Sequence, residues 1–156
     1  MYGFSTSFKG SVEEAVNAVT SALADEGFGV LTEIDVQATL KKKLDIDRTA
    51  YRILGACNPQ LANQALEADP DIGLLLPCNV IVREETDGST TVGFIEPTVM
   101  LGVTGRSDIA PLANEVKSRL ERVRDALTTK KGHVHRTSMA FTQPNSGRLS
   151  GRGLIP

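Results

Sequence analysis

Tyr2, Phe4, Thr6 and Phe8 alternate with small or polar residues, a period of two that predicts a first strand. Ser11-Val12-Glu13-Glu14 then has the form of a capping box. In that motif the serine hydroxyl accepts from the third helical amide and the glutamate reaches back to the cap. Val12, Ala15, Val16, Val19, Ala22 and Leu23 follow on one helical face, and Gly27 supplies a stop. Val30, Thr32, Ile34 and Val36 restore the period of two and predict a second strand. Residues 37–44 read as a short helix with Leu40 and Leu44 facing inward and Lys41-Lys42-Lys43 in water.

Residues 49–56 predict a third strand, and Asn58-Pro59 an N-cap followed by proline at the first helical position. The short helix that follows would bury Leu61, Ala62, Ala65 and Leu66 before Asp69-Pro70 ends it. Residues 73–84 are almost continuously apolar and read as a central strand. Asp87-Gly88 turns the chain into a hairpin partner over residues 90–96, and residues 97–105 read as a loop. Ser107 or Asp108 would cap a last helix carrying Ile109, Leu112, Val116, Leu120, Val123 and Leu127. Pro111 fits there, because first-turn amides lack helical partners. The order β-α-β-(α)-β-α-β-β-α lacks regular βαβ repetition. It predicts an α+β domain over residues 1–129, one largely antiparallel sheet packed with helices on one face.

Charge divides the chain at the same boundary. Residues 1–129 hold 12 Lys/Arg against 19 Asp/Glu, about −7 net, whereas 130–156 hold five basic residues, no acidic ones and both histidines. The acidic body argues against a nucleic-acid surface, which needs clustered positive charge. The Gly/Ser/Arg-rich segment 130–156 has no apolar period and reads as a flexible basic tail. Its His133 and His135 are solvated bystanders on this reading. Met1-Tyr2-Gly3-Phe4 runs directly into strand sequence without a secretory h-region, and no apolar run reaches about 18 residues. The expectation is a cytoplasmic, membrane-free protein with reduced thiols.

The two cysteines lie in echoing segments, Gly55-Ala56-Cys57-Asn58-Pro59 and Leu76-Pro77-Cys78-Asn79-Val80, each cysteine followed by asparagine. The longer stretches are Tyr51-Arg52-Ile53-Leu54-Gly55-Ala56-Cys57-Asn58-Pro59 and Asp71-Ile72-Gly73-Leu74-Leu75-Leu76-Pro77-Cys78-Asn79-Val80. Together with Glu96-Pro97 and Met100, they resemble the three ordered motifs of the bacterial and archaeal family catalogued as domain of unknown function 302. The resemblance covers residues 1–128. It implies a compact fold of TATA-binding-protein-like topology that is usually dimeric. It supplies no activity, so no catalytic residue carries over. A modest core with few aromatic residues gives an independent reason to expect a homodimer.

The chemistry centres on the thiols. Cys57 precedes a predicted helix start, where free amides and a partial positive charge favour thiolate. The plain alternative is a small buried hydrophobe. Asn58 reads first as a cap. Pro77 interrupts strand pairing, so a bend there would aim Cys78 and Asn79; a buried thiol is the alternative. Burial raises a thiol's pKa, which makes Cys57 the more reactive of the two. Cys57, Cys78 and Met100 would form a soft donor set for copper(I) or a haem-like cofactor. Their spacing matches no zinc pattern and the body has no histidine, so no cofactor is predicted. A cysteine hydrolase would need Glu96 or another carboxylate as base. No phosphate-binding glycine motif is present.

The leading reading is a binding module with a thiol-lined site for a small ligand or sulfur-containing group. Its candidate residues are Cys57, Asn58, Pro77, Cys78, Asn79 and Met100. The alternatives are a thiol-dependent enzyme or sulfur-transfer protein with Cys57 as nucleophile, and a structural dimer without an active site.

Overall fold

The computed structural model describes residues 1–129; the basic segment 130–156, with His133 and His135, lies outside the described residues. The elements are β1 (Gly3–Phe8), α1 (Val12–Asp25), β2 (Gly29–Asp35), α2 (Val36–Leu44), β3 (Tyr51–Cys57) and α3 (Pro59–Ala68). A 3₁₀ turn (Pro70–Leu75) precedes β4 (Cys78–Glu84), β5 (Thr90–Ile95), α4 (Pro97–Gly102) and α5 (Ala110–Thr129). The capping box forms: Ser11 Oγ accepts from the Glu14 amide at 3.1 Å, and the Ser11 amide donates to the Glu14 carboxylate. At the hairpin, the Gly88 amide donates to the Glu85 carbonyl at 3.0 Å, and Gly88 takes a φ of +84°, where glycine is favoured.

The strands form one antiparallel sheet in the order β1-β5-β4-β3-β2. Its pleat separates two faces. Phe4, Phe94, Val80 and Leu54 lie in register across four strands on the face that packs against α1 and α5. There they meet Val16, Val19 and Leu23 of α1 and Leu120 and Val123 of α5. The Phe4 and Phe94 rings stack with centroids 5.3 Å apart. Each fully buried side chain of this kind stabilises the fold by about 1.5–3 kcal/mol over leaving it in water. On the opposite face, the register aligns Ile34, Ile53, Ile81, Gly93 and Ser5 across all five strands.

Four expectations need correction. The apolar run at 73–84 is not one strand, because Asp69 accepts from the Asp71 amide and starts the 3₁₀ turn through Pro70. Strand β4 begins only at Cys78, so Pro77 precedes the strand, with its Leu76 peptide bond cis. Residues 97–102 are helical rather than looped, since the Glu96 carboxylate caps the Thr98 amide and Pro97 fills the first turn. Helix α2 has no buried residue, and Leu44 is 60% exposed. Asp108 does not cap α5: its carboxylate is held by the Arg106 guanidinium.

Candidate functional site

Strand β3 ends at Cys57 and β4 starts at Cys78, and Ala56 pairs with Cys78 across the two strands. The segment between them leaves the sheet and returns at the same place. Asn58 makes the departure, its Oδ1 accepting from the Leu61 amide at 3.2 Å while Pro59 opens α3. The excursion encloses a cavity of about 370 Å³ at this end of the sheet. Phe28, Ala56 and Cys78 form the sheet side. Leu61, Ala65 and Leu66 come from α3, and Leu101, Leu112 and Val116 from α4 and α5. Of the α3 residues expected to be buried, only Ala65 is; Leu61 and Ala62 are half-buried and Leu66 is 41% exposed, because their face meets the cavity.

Among the described residues, the two thiols are the only titratable groups on the lining. Both are free of disulfide, Cys78 buried and Cys57 half-buried. Burial, helped by the neighbouring Cys57, pushes the Cys78 thiol up to about 11. Cys78 shares the helix-packed face with Ala56, and the pleat assigns the next residue, Cys57, to the other face. The side chains therefore depart in different directions, which opposes a direct disulfide. Both still border the cavity, which opens where β3 stops.

Gly55 fixes the local packing. A Cβ on it would collide with Thr32 Oγ1 and come within 2.9 Å of Pro77 Cγ. Bare backbone at this position lets β2 and the Pro77 bend close on β3 from opposite sides.

Cys57, Asn58, Pro77 and Cys78 thus border one cavity. Asn79 does not: it is exposed and pairs with Gly55 on the other face of the sheet. Met100 is half-buried, packed against both apolar clusters of the domain, and is not on the lining. The soft donors Cys57, Cys78 and Met100 therefore do not converge on the cavity. Among the described residues, no group of three or more His, Cys, Asp or Glu side chains is placed to hold a metal. Glu96 is also off the lining. Burial opposes its charge, but the Thr98 hydroxyl and amide and the Lys117 ammonium at 3.4 Å together hold its carboxyl below the usual range. It is an ionised helix cap. Sequence reasoning missed Phe28, Leu101, Leu112 and Val116. Their only signal is apolar character, which core residues share.

The fold and site define an α+β domain with a five-stranded antiparallel sheet and an apolar, thiol-bordered cavity at one sheet end. The chain belongs to the family described as Domain of unknown function DUF302, which matches residues 4–127. It is similar to an uncharacterized protein of Aquifex aeolicus (strain VF5), 32% identical over 78 residues, or 49% of this chain and 53% of that protein. The match thus spans about half of that relative's length. It is also similar to the crystal structure of an uncharacterized conserved protein DUF302 from Bacillus stearothermophilus. That likeness has a TM-score of 0.76 and 30% identity, covering 81% of this chain and 98% of that one. No helix among the described residues is long and apolar enough to cross a membrane.

Proposed function

We propose that this chain is a small cytoplasmic binding module that holds a small, largely apolar molecule in the cavity at the end of its sheet, with Cys57 and Cys78 at the border. One observation carries the reading. The cavity, at about 370 Å³, falls in the size range of small-molecule sites, and its lining combines apolar walls with a few polar atoms. A sulfur-containing or thiol-reactive group on the ligand would meet Cys57, the less buried thiol. A thiol enzyme is the weaker reading, because nucleophilic catalysis needs a neighbouring base and, among the described residues, no carboxylate, imidazole or amine borders the cavity.

The working unit on this reading is a homodimer. The aligned Ile34, Ile53 and Ile81 give the outer sheet face an apolar centre that a second copy would cover. Light scattering should report twice the chain mass, and a monomer at high concentration refutes this part.

The binding role is tested with Nile red, an uncharged apolar fluorophore. Saturable binding is expected, with slowed alkylation of Cys57. Ala62→Trp, which fills the cavity from α3, should abolish both while leaving the thermal transition in place. Absence of saturable binding to the folded wild-type protein refutes the role.

A further inference from the structure

We propose that a second copy of this chain, seated on the outer sheet face, closes the mouth of the cavity, so that ligand binding and dimerisation strengthen each other. The inference deepens the binding role above and rests on it. Along β3 the pleat gives Ile53, Gly55 and Cys57 to the outer face, and pairing places Ile34 opposite Ile53 and Thr32 opposite Gly55. A Cβ on Gly55 would meet both Thr32 Oγ1 and the Pro77 ring, so these two groups also stand on that face. Thr32, Cys57 and Pro77 all border the cavity. Its rim therefore reaches the outer face one row from Ile34 and Ile53, about 7 Å along the strands. The register slips between Val30 and Thr32, and the residue left over, Leu31, lines the cavity while 68% exposed. Bulges of this kind re-aim a side chain at a sheet edge.

Charge argues that the occupant is a second copy. Residues 1–129 carry about −7 net, 12 Lys/Arg against 19 Asp/Glu, yet the outer face is nearly neutral. Ser5, Ser7, Thr32, Asn79 and Thr91 surround its isoleucines. Among the described residues, Arg83 is its one charged strand residue, and Glu85 neutralises it at 2.7 Å. The helix-packed face differs, with Arg52 set among Glu13, Glu33 and Asp35. Two acidic bodies repel where their charged surfaces meet, and the outer face lets them meet without that cost. A membrane surface or a nucleic acid would instead call for clustered lysine and arginine.

Area carries the contact to the cavity rim. Five strands, about 4.8 Å apart and about 20 Å long, give a face of about 500 Å² in projection. None of the strand side chains on it is buried in the single chain. A stable interface takes about 800 Å² of accessible surface from each partner. Three isoleucines cannot supply that, so a second copy must use the whole face, Thr32 and Cys57 included. It then stands over Thr32 and the exposed Leu31, and removes from water the side of the ligand that one chain leaves open.

The test uses Nile red on the full chain, at concentrations spanning dimer dissociation, and on Asn79→Glu. Asn79 is exposed, on the outer face and off the cavity lining. Glutamate there disturbs no packed side chain and places an unpaired charge in the interface. Light scattering should report Asn79→Glu as a monomer, with its circular dichroism unchanged. Without dye, Cys57 in the wild-type dimer should be alkylated more slowly than in Asn79→Glu. Nile red should bind the monomer about tenfold more weakly, the worth of covering about 50 Å² of apolar surface. With one cavity per protomer, saturating dye should tighten dimerisation about 100-fold, the square of that ratio. Dilution of the wild type reads the same ratio if Asn79→Glu does not fold. Equal dye affinity in dimer and monomer, or Cys57 alkylated equally fast in both, overturns the inference and leaves the binding role intact. So does a wild-type chain that binds dye as a monomer at every concentration. Absence of dye binding to a folded dimer overturns the binding role, and this inference with it.

Discussion

The two ends of the space between sheet and helices are built from the same kinds of residue and finish differently. In the middle and at the β1 end, Leu54, Val80, Val82 and Val92 are wholly buried against α1 and α5. At the Cys57–Cys78 end, Leu61, Leu66, Leu101 and Leu112 surround open space. Strand pleat makes the difference. Where the sheet continues, every second side chain is pressed onto a helix. Where β3 stops at Cys57, the chain turns away through Asn58-Pro59, and its leucines face a gap wider than their side chains can fill. Apolar composition supplies the wall material, and the point at which pairing stops decides whether it becomes core or cavity.

The sharpest way to break this contrast is a matched pair of truncations. Leu54→Ala should cost about 2–5 kcal/mol, because rigid neighbours cannot close the hole. Leu66→Ala, from a partly exposed site, should cost under about 1 kcal/mol. Urea denaturation of both variants checks this, and equal losses would show that the two ends are packed alike.

Cys78 lies at the boundary between the two regions and should behave as core. The unfolded chain releases its proton near 9.0, whereas the folded chain holds it to about 11. Between these values the unfolded state binds fewer protons, so stability falls as pH rises. The contribution is intact below pH 9, and the loss reaches about 2–3 kcal/mol beyond pH 11. Denaturation midpoints of the wild type and Cys78→Ala should diverge in slope across this window. Parallel slopes would make Cys78 part of the open cavity instead.

Asn58 sharpens the comparison from the other side. Asn58→Ala removes the α3 cap and should cost about 1 kcal/mol, while Asn58→Ser keeps an uncharged acceptor for the Leu61 amide and should cost less. Thermal melts of the two variants read this difference. An equal loss in both would mean that Nδ2, and not the cap, holds the fold.

Much of this architecture is legible in local chemistry. Alternation at Tyr2–Phe8, the Ser11–Glu14 box, the Asn58-Pro59 start and the Asp87-Gly88 turn each act within a few residues, and each forms as read. The misreadings arise where two local signals compete. Residues 72–76 have the apolar density of a strand, but the Asp69-Pro70 start dictates a 3₁₀ turn. Glu96 caps α4 through Thr98, a role its spacing to Pro97 does not announce. The candidate site was legible only at the strand ends, as Cys57, Asn58, Pro77 and Cys78. The cavity wall was not, because its members come from α3, α4 and α5, and only tertiary packing brings them together. Asn79 echoes Asn58 in sequence, yet it sits inside a strand whose pleat turns it to the opposite face.

Gly55 bears on how this chain can change over generations. Every replacement of glycine adds the Cβ that Thr32 and Pro77 exclude. A lineage that alters residue 55 must therefore also turn the Thr32 hydroxyl aside and shift the Pro77 ring. Change at this position is thereby coupled to residues 32 and 77, so that the junction of β2, β3 and the proline bend varies together.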